Sequence, residues 1–132
     1  LVKHFYPHLY EMMEEQCIQH SGYAFRWYTM RYAQFGPELS YRILDVYLYE
    51  GDKILYRIAL ALLGHYSKSL LAETDCMMEN LMKIESAYDV HALQDGDVIL
   101  DMALKLSLKS KDLERLSQLY EQRLKSGDPD VI

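Results

Sequence analysis

Three charges sit in the most apolar stretch of the chain, residues 41–63, which reads YRILDVYLYEGDKILYRIALALL. They are Arg42, Asp45 and Arg57. Arg42 and Asp45 are three apart and share a helix face. Arg57 lies among Tyr56, Ile58 and Ala59 and has no acid after Asp52 in its own segment. A buried guanidinium left without a partner costs about 3–5 kcal/mol. Asp45 is the expected partner, and an ion pair of this kind sets helix docking more often than it does chemistry.

Other residue groups imitate catalytic or metal-binding patterns. His4 and His8 are four apart, with Glu11 and Glu15 nearby. Pro7 argues against one helix through both histidines, and no helical His-Glu-x-x-His pattern is present, so an ordinary helix start is the better reading. Asp95-Gly96-Asp97 lacks the alternating acids of a calcium loop. There is no Gly-rich phosphate loop, no Cys-x-x-Cys pair and no clear Ser-His-Asp grouping. Neither a metal nor a cofactor is therefore expected.

The elements that must position these residues are helical. Leu39, Ile43, Val46 and Tyr47 keep a helical period over about 38–49, and Tyr41, Leu44 and Leu48 occupy the opposite side. A helix apolar almost all round is expected to be buried. Gly51 suits a left-handed helix end and Asp52 a side-chain N-cap. Ile54, Leu55, Ile58, Ala59, Leu62 and Leu63 repeat the pattern. Two buried helices joined by so short a break should pack as an antiparallel hairpin.

Around this hairpin the sequence predicts further helices. One starts at Pro7 and keeps Leu9, Met12, Met13, Cys17 and His20 in phase. Another covers 23–34, with aromatic residues read as core. A third carries Met77, Met78, Leu81, Met82 and Ile84 after Asp75. Asp95-Gly96-Asp97 predicts a turn into a helix over 98–109. Ser110 is expected to cap a last helix with Leu113, Leu116, Tyr120 and Leu124 inward, ended at Gly127. The expected fold class is all-α, about seven helices around a central antiparallel hairpin.

Composition narrows the function classes. The chain has 132 residues, the length of one domain or part of one. Twenty acidic against fourteen basic residues give a net charge of −6, and no basic stripe appears. Nucleic acid and direct membrane insertion are thereby disfavoured. Cys17 and Cys76 are expected as buried free thiols, which fits a reducing, cytoplasmic compartment. The longest apolar run, 54–63, contains Arg57 and is too short to span a bilayer. The opening Leu-Val-Lys suggests a piece of a longer protein.

The ordered set Trp27, Arg42-Ile43-Leu44-Asp45, Glu50-Gly51 and Arg57-Ile58-Ala59-Leu60-Ala61-Leu62-Leu63 resembles the second half of a TBC domain, the GTPase-activating domain that acts on Rab-type small GTPases. The family commonly reads Trp-Phe, then Arg-apolar-Trp-Asp, then Glu-Gly, then Arg-apolar-Ala-Leu. Here Tyr28 follows Trp27, and Leu44 stands at the usual tryptophan. The resemblance implies family-motif, structural roles for Trp27, Arg42, Asp45, Glu50, Gly51 and Arg57.

Catalysis in this family needs an arginine and a glutamine, which act on charge at the phosphates and on the attacking water. The resemblance places both in the first half of the domain, in I-x-x-D-x-x-R and Y-x-Q-G motifs. Val98-Ile99-Leu100-Asp101 imitates the first but has Leu104 at the arginine position. Tyr32-Ala33-Gln34 imitates the second but continues with Phe35, so Gln34 is read as a decoy. Arg26, Arg31, Arg42 and Arg57 are raw finger candidates only, and no catalytic residue is assigned.

The resemblance thus implies a supporting role in Rab GTPase activation and vesicle trafficking. This chain would brace the N-terminal half of its own TBC domain and contribute to the GTPase-binding groove. GTP and magnesium would belong to the partner GTPase, through which membrane association would arise. The alternative is a catalytically inactive TBC-like adaptor or scaffold.

Overall fold

The computed structural model describes residues 1–67, 79, 81–82 and 92–127, with the backbone alone for 92–95. Among them run α1 (Val2–Phe5), α2 (Pro7–Glu15), α3 (Ser21–Thr29), a 3-10 turn (Ala33–Phe35), α4 (Pro37–Glu50), α5 (Lys53–His65), α6 (Ala92–Lys105) and α7 (Ser110–Ser126), with no strand. The all-α expectation holds. The methionine-rich helix expected after Asp75, the connector before Ala92 and Cys76 lie outside the described residues, apart from Leu81, which is buried, and Met82, which is exposed.

α5 is the hub. Ile54, Leu55, Ile58, Ala59, Leu60, Ala61, Leu62 and Leu63 are all buried, so the helix is covered on every side. Its most extensive packing is against α6, and it also packs on α4 and α3. α4 and α5 meet across Gly51-Asp52 as the hairpin requires. Gly51 has φ +74° and ψ −153°, a region open essentially to glycine alone. Asp52 does not cap α5 with its side chain. It has taken helical backbone angles, and its carbonyl accepts the Leu55 amide at 3.0 Å.

Several local signals yield to packing. α2 stops at Glu15 because Cys17 turns to φ +55°, which carries Ile18 into the core and leaves Cys17 exposed, not buried as expected. The helix expected over 23–34 ends at Thr29. Arg31 and Tyr32 then adopt positive φ, which swings Tyr32 inward to complete burial. Its hydroxyl donates to the Leu55 carbonyl at 2.5 Å. Trp27 sits in the middle of this aromatic block, in ring contact with Tyr23, Tyr32 and Phe35.

The turn expected at Asp95-Gly96-Asp97 is instead continuous helix, since packing of α6 on α5 outweighs the roughly 1 kcal/mol cost of one interior glycine.

Two expectations of burial fail. α4 buries only Leu39 and Ile43, while Tyr41, Leu44, Leu48 and Tyr49 point outward. α5, α6 and the 3-10 turn cover one side of α4, and its other side is exposed among the described residues. α7 has no fully buried residue: of its expected inward face Leu113 and Leu116 are half-buried, while Tyr120 and Leu124, like Leu119, are about half exposed. Lys109, not Ser110, is its N-cap residue, with the Lys109 amide donating to Asp112 at 3.3 Å. Gly127 ends the helix in left-handed geometry, as its sequence position predicts.

Gly64 admits Tyr6 onto α5. A Cβ there would lie 2.8 Å from Tyr6 Cζ and 3.2 Å from its Cε1. Gly64→Ala is expected to lower stability by about 1–3 kcal/mol in a denaturant titration, the usual cost of overpacking. In a Tyr6→Ala background the same change should be neutral or stabilising, because only the helix-propensity gain of about 1 kcal/mol is left.

Candidate functional site

The charges singled out by sequence do not pair as expected. Arg57 turns back across the α4–α5 turn to Glu50, with Nη1 3.0 Å from Oε2 and 3.2 Å from Oε1. Its Nη2 donates to the carbonyl of Leu108, between α6 and α7, at 3.5 Å. The two side chains retain only 12% and 20% exposure, so the pair is mostly withdrawn from solvent. One cation thereby ties together α4, α5 and the segment leading into α7.

Asp45 is not that cation's partner. It is exposed on the outer side of α4, half a turn round from the surface that faces α5. Glu50 takes its place because it is at the last position of α4, beside the turn, and so level with Arg57. Arg42 bonds to neither Asp45 nor Glu50. It pairs with Asp97 of α6 in an exposed bridge between helices. Of the six motif residues, the structure brings Glu50, Gly51 and Arg57 together, keeps Trp27 in the aromatic core and leaves Arg42 and Asp45 outside both.

Sequence reasoning missed Glu50, Asp97 and the Leu108 carbonyl as partners. Glu50 had a legible signal, since it and Arg57 flank a two-residue break. Asp97 is 55 residues from Arg42 and had none.

Three of the four raw finger candidates have described contacts within the chain. Arg57 is committed to Glu50, Arg42 to Asp97, and the Arg31 guanidinium lies 5.3 Å from the Tyr47 ring centroid. Gln34 has both amide atoms buried, without a hydrogen-bond partner among the described residues. A cleft at the α3–α5 junction is lined by Tyr28, Thr29, Arg31, Asp52, Leu55 and Tyr56. It contains no nucleophile paired with a base. Tyr28 within it is held protonated, pushed up to about 12 first by burial and then by Tyr56. His8 lies 3.9 Å from Glu11, and no group of three or more metal-ligating side chains occurs among the described residues.

A second polar contact lies where α2 meets α3. His20 Nδ1 is 2.6 Å from the Tyr23 hydroxyl, and the imidazole stacks on Tyr10. Burial lowers the His20 pKa from its ordinary value of 6.5, against an opposing pull from Glu14 and with a small further push from the N-terminal ammonium. The neutral ring with Nδ1 unprotonated accepts from Tyr23. The Tyr23 hydroxyl is itself held protonated by burial.

Set beside known proteins, the chain matches the Rab-GTPase-TBC domain over residues 1–71, more than half its length. It belongs to that family. It is 25% identical over 123 residues to mouse ecotropic viral integration site 5 protein and 29% identical over 122 residues to the Drosophila melanogaster ortholog. Each alignment covers 91% of this chain and 15% of the relative. Zebrafish growth hormone-regulated TBC protein 1-A is 32% identical over 65 residues, 48% of this chain and 18% of that protein. No solved structure gives a significant match. No helix among the described residues is long and apolar enough to cross a membrane.

Breaking the buried pair should be costly and altering Asp45 should not. Arg57→Ala or Glu50→Ala is expected to lose about 2–3 kcal/mol in a denaturant titration, below the roughly 3–5 kcal/mol of a fully buried orphaned charge because this pair keeps some solvent. Asp45→Ala should stay within about 0.5 kcal/mol of the parent, as exposed substitutions do. The pH dependence of His20 follows from the sign of its shift. A folded-state pKa below 6.5 means that the unfolded chain binds the proton more readily. Its contribution is intact above the unfolded value and is lost as pH falls through the folded one. The stability drop from about pH 7.5 to about pH 5 should therefore shrink in His20→Gln, measured by urea midpoints.

Proposed function

We propose that this chain is the C-terminal helical part of a TBC domain that promotes GTP hydrolysis by a Rab-type GTPase in vesicle traffic. Its part is to brace the half of the domain that carries the arginine and glutamine, and to form one side of the groove that receives the GTPase. The Glu50–Arg57 pair is the observation that carries this reading. It joins two of the family's motif residues in a mostly buried contact, which supports an architectural role for the motif.

In such a division of labour, the reacting oxygens and magnesium stay with the GTPase. The transferred charge is offset by an arginine entering from outside, a contribution of about 10³–10⁵ in rate in GTPase-activating systems. The arginines 31, 42 and 57 of this chain are engaged internally, which supports assigning that arginine to polypeptide beyond these residues. The chain's alignment to 15% of its relatives' length is consistent with a small share of a larger activity.

Single-turnover phosphate release from GTP-loaded Rab proteins tests the proposal. The 132-residue chain alone should give no acceleration, and the same chain joined to the finger-bearing half of its domain should accelerate release. Acceleration by the chain alone would overturn the division of labour. Rab binding by the joined domain without acceleration would favour the adaptor reading instead.

A further inference from the structure

The turn that ends α3 is held shut against costs concentrated in a few residues. Arg31 and Tyr32 follow one another at φ +45° and +61°, a region that side chains disfavour. The Tyr32 amide donates to the Trp27 carbonyl at 3.0 Å and the Arg31 amide to that of Tyr28 at 3.2 Å. This pair of bonds puts Arg31 at the left-handed position of a helix cap that ordinarily takes glycine. Two residues past Tyr32, Gln34 has both amide atoms buried and unpaired among the described residues. An amide withdrawn from water without a partner favours any state in which it is hydrated.

Side-chain contacts oppose these costs. The amides of Arg31, Tyr32, Ala33, Phe35 and Gly36 donate to carbonyls within residues 27–33, so these bonds tie the turn to itself and not to the hairpin. Its links to the hairpin are made by side chains. Tyr32 and Phe35 are buried, and the Tyr32 hydroxyl reaches the Leu55 carbonyl of α5 at 2.5 Å. Trp27 is only 1% exposed, with the rings of Tyr32 and Phe35 against it. At the far end Gly36, at φ +96°, makes a joint just ahead of α4.

We propose that residues 30–36 form a strap over Trp27 that opens as one unit, between Met30 and the Gly36 joint, while the α4–α5 hairpin stays folded. Opening relieves the two left-handed residues, hydrates the Gln34 amide and uncovers the Trp27 ring. Burial of the Tyr32 and Phe35 rings keeps the closed state the more populated one. The Tyr32–Leu55 hydrogen bond is its catch. The inference rests on contacts inside this chain and is independent of the GTPase reading.

Native-state hydrogen exchange of the 132-residue chain, followed over a series of low urea concentrations, tests the strap. The amides of Tyr32, Ala33, Phe35 and Gly36 should open at least about tenfold more often than those of residues 58–63, with a weaker dependence on urea. Tyr32→Phe removes the catch and keeps the ring, and should raise exchange in the turn about fivefold. Arg31→Gly should slow it about threefold and Gln34→Met about fivefold, because each removes a cost present only in the closed state. Turn amides that share the opening equilibrium and urea dependence of α5 would overturn the proposal. So would Arg31→Gly and Gln34→Met chains that both exchange as fast as the parent.

Discussion

A guanidinium held away from water has few acceptable surroundings, and Arg57 finds one of them. Its cost of desolvation is offset by two contacts to the Glu50 carboxylate and one to the Leu108 carbonyl. Each contact constrains the chain. Glu50 must stand at the end of α4, so the turn must be short. The turn must then use backbone angles that glycine alone adopts readily, which Gly51 supplies. The segment between α6 and α7 must pass close enough for a carbonyl to complete the shell. Arg57 Nε is left buried and unpaired, so the arrangement is held by the two terminal nitrogens of the guanidinium.

The same logic assigns the aromatic residues to construction. Trp27, Tyr23, Tyr32 and Phe35 fill the volume between α3 and the hairpin, with edge-on and tilted ring contacts that suit their quadrupoles. Tyr32 reaches its place only by entering the left-handed region, and its hydrogen bond to Leu55 helps hold the chain there. The aromatic residues read as core from the sequence form a packed block with little free surface. Gln34, just beyond it, is drawn into the interior by the turn that buries Tyr32 and Phe35.

The exposed sides of α4 and α7 qualify that picture. A helix hydrophobic around its whole circumference belongs in an interior, and α5 obeys. α4 is apolar around much of its circumference but buries only two residues, because α5, α6 and the 3-10 turn cover a single side of it. The outer side of α4 and much of α7 are therefore left exposed among the described residues.

Much of this was legible in the residues. The periodicity of 41–63 set two helices and their break, and Gly51 and Gly127 marked helix ends, because local backbone preferences depend only on neighbours in sequence. The Trp27, Arg42, Glu50-Gly51 and Arg57 set pointed to the family for the same reason, since order and spacing survive in one dimension. What tertiary structure alone decided was partnership. Burial of a charge creates a demand for a counter-charge but does not say which acid answers it. Asp45 and Glu50 are five residues apart on one helix, and only the phase of α4 against α5 turns one to water and the other to Arg57. Asp97 comes to Arg42 through the packing of α6, and the continuity of α6 through Gly96 comes from its burial against α5. Distance along the chain has no bearing on such contacts, so the sequence determined the elements and the folded geometry chose which of their side chains meet.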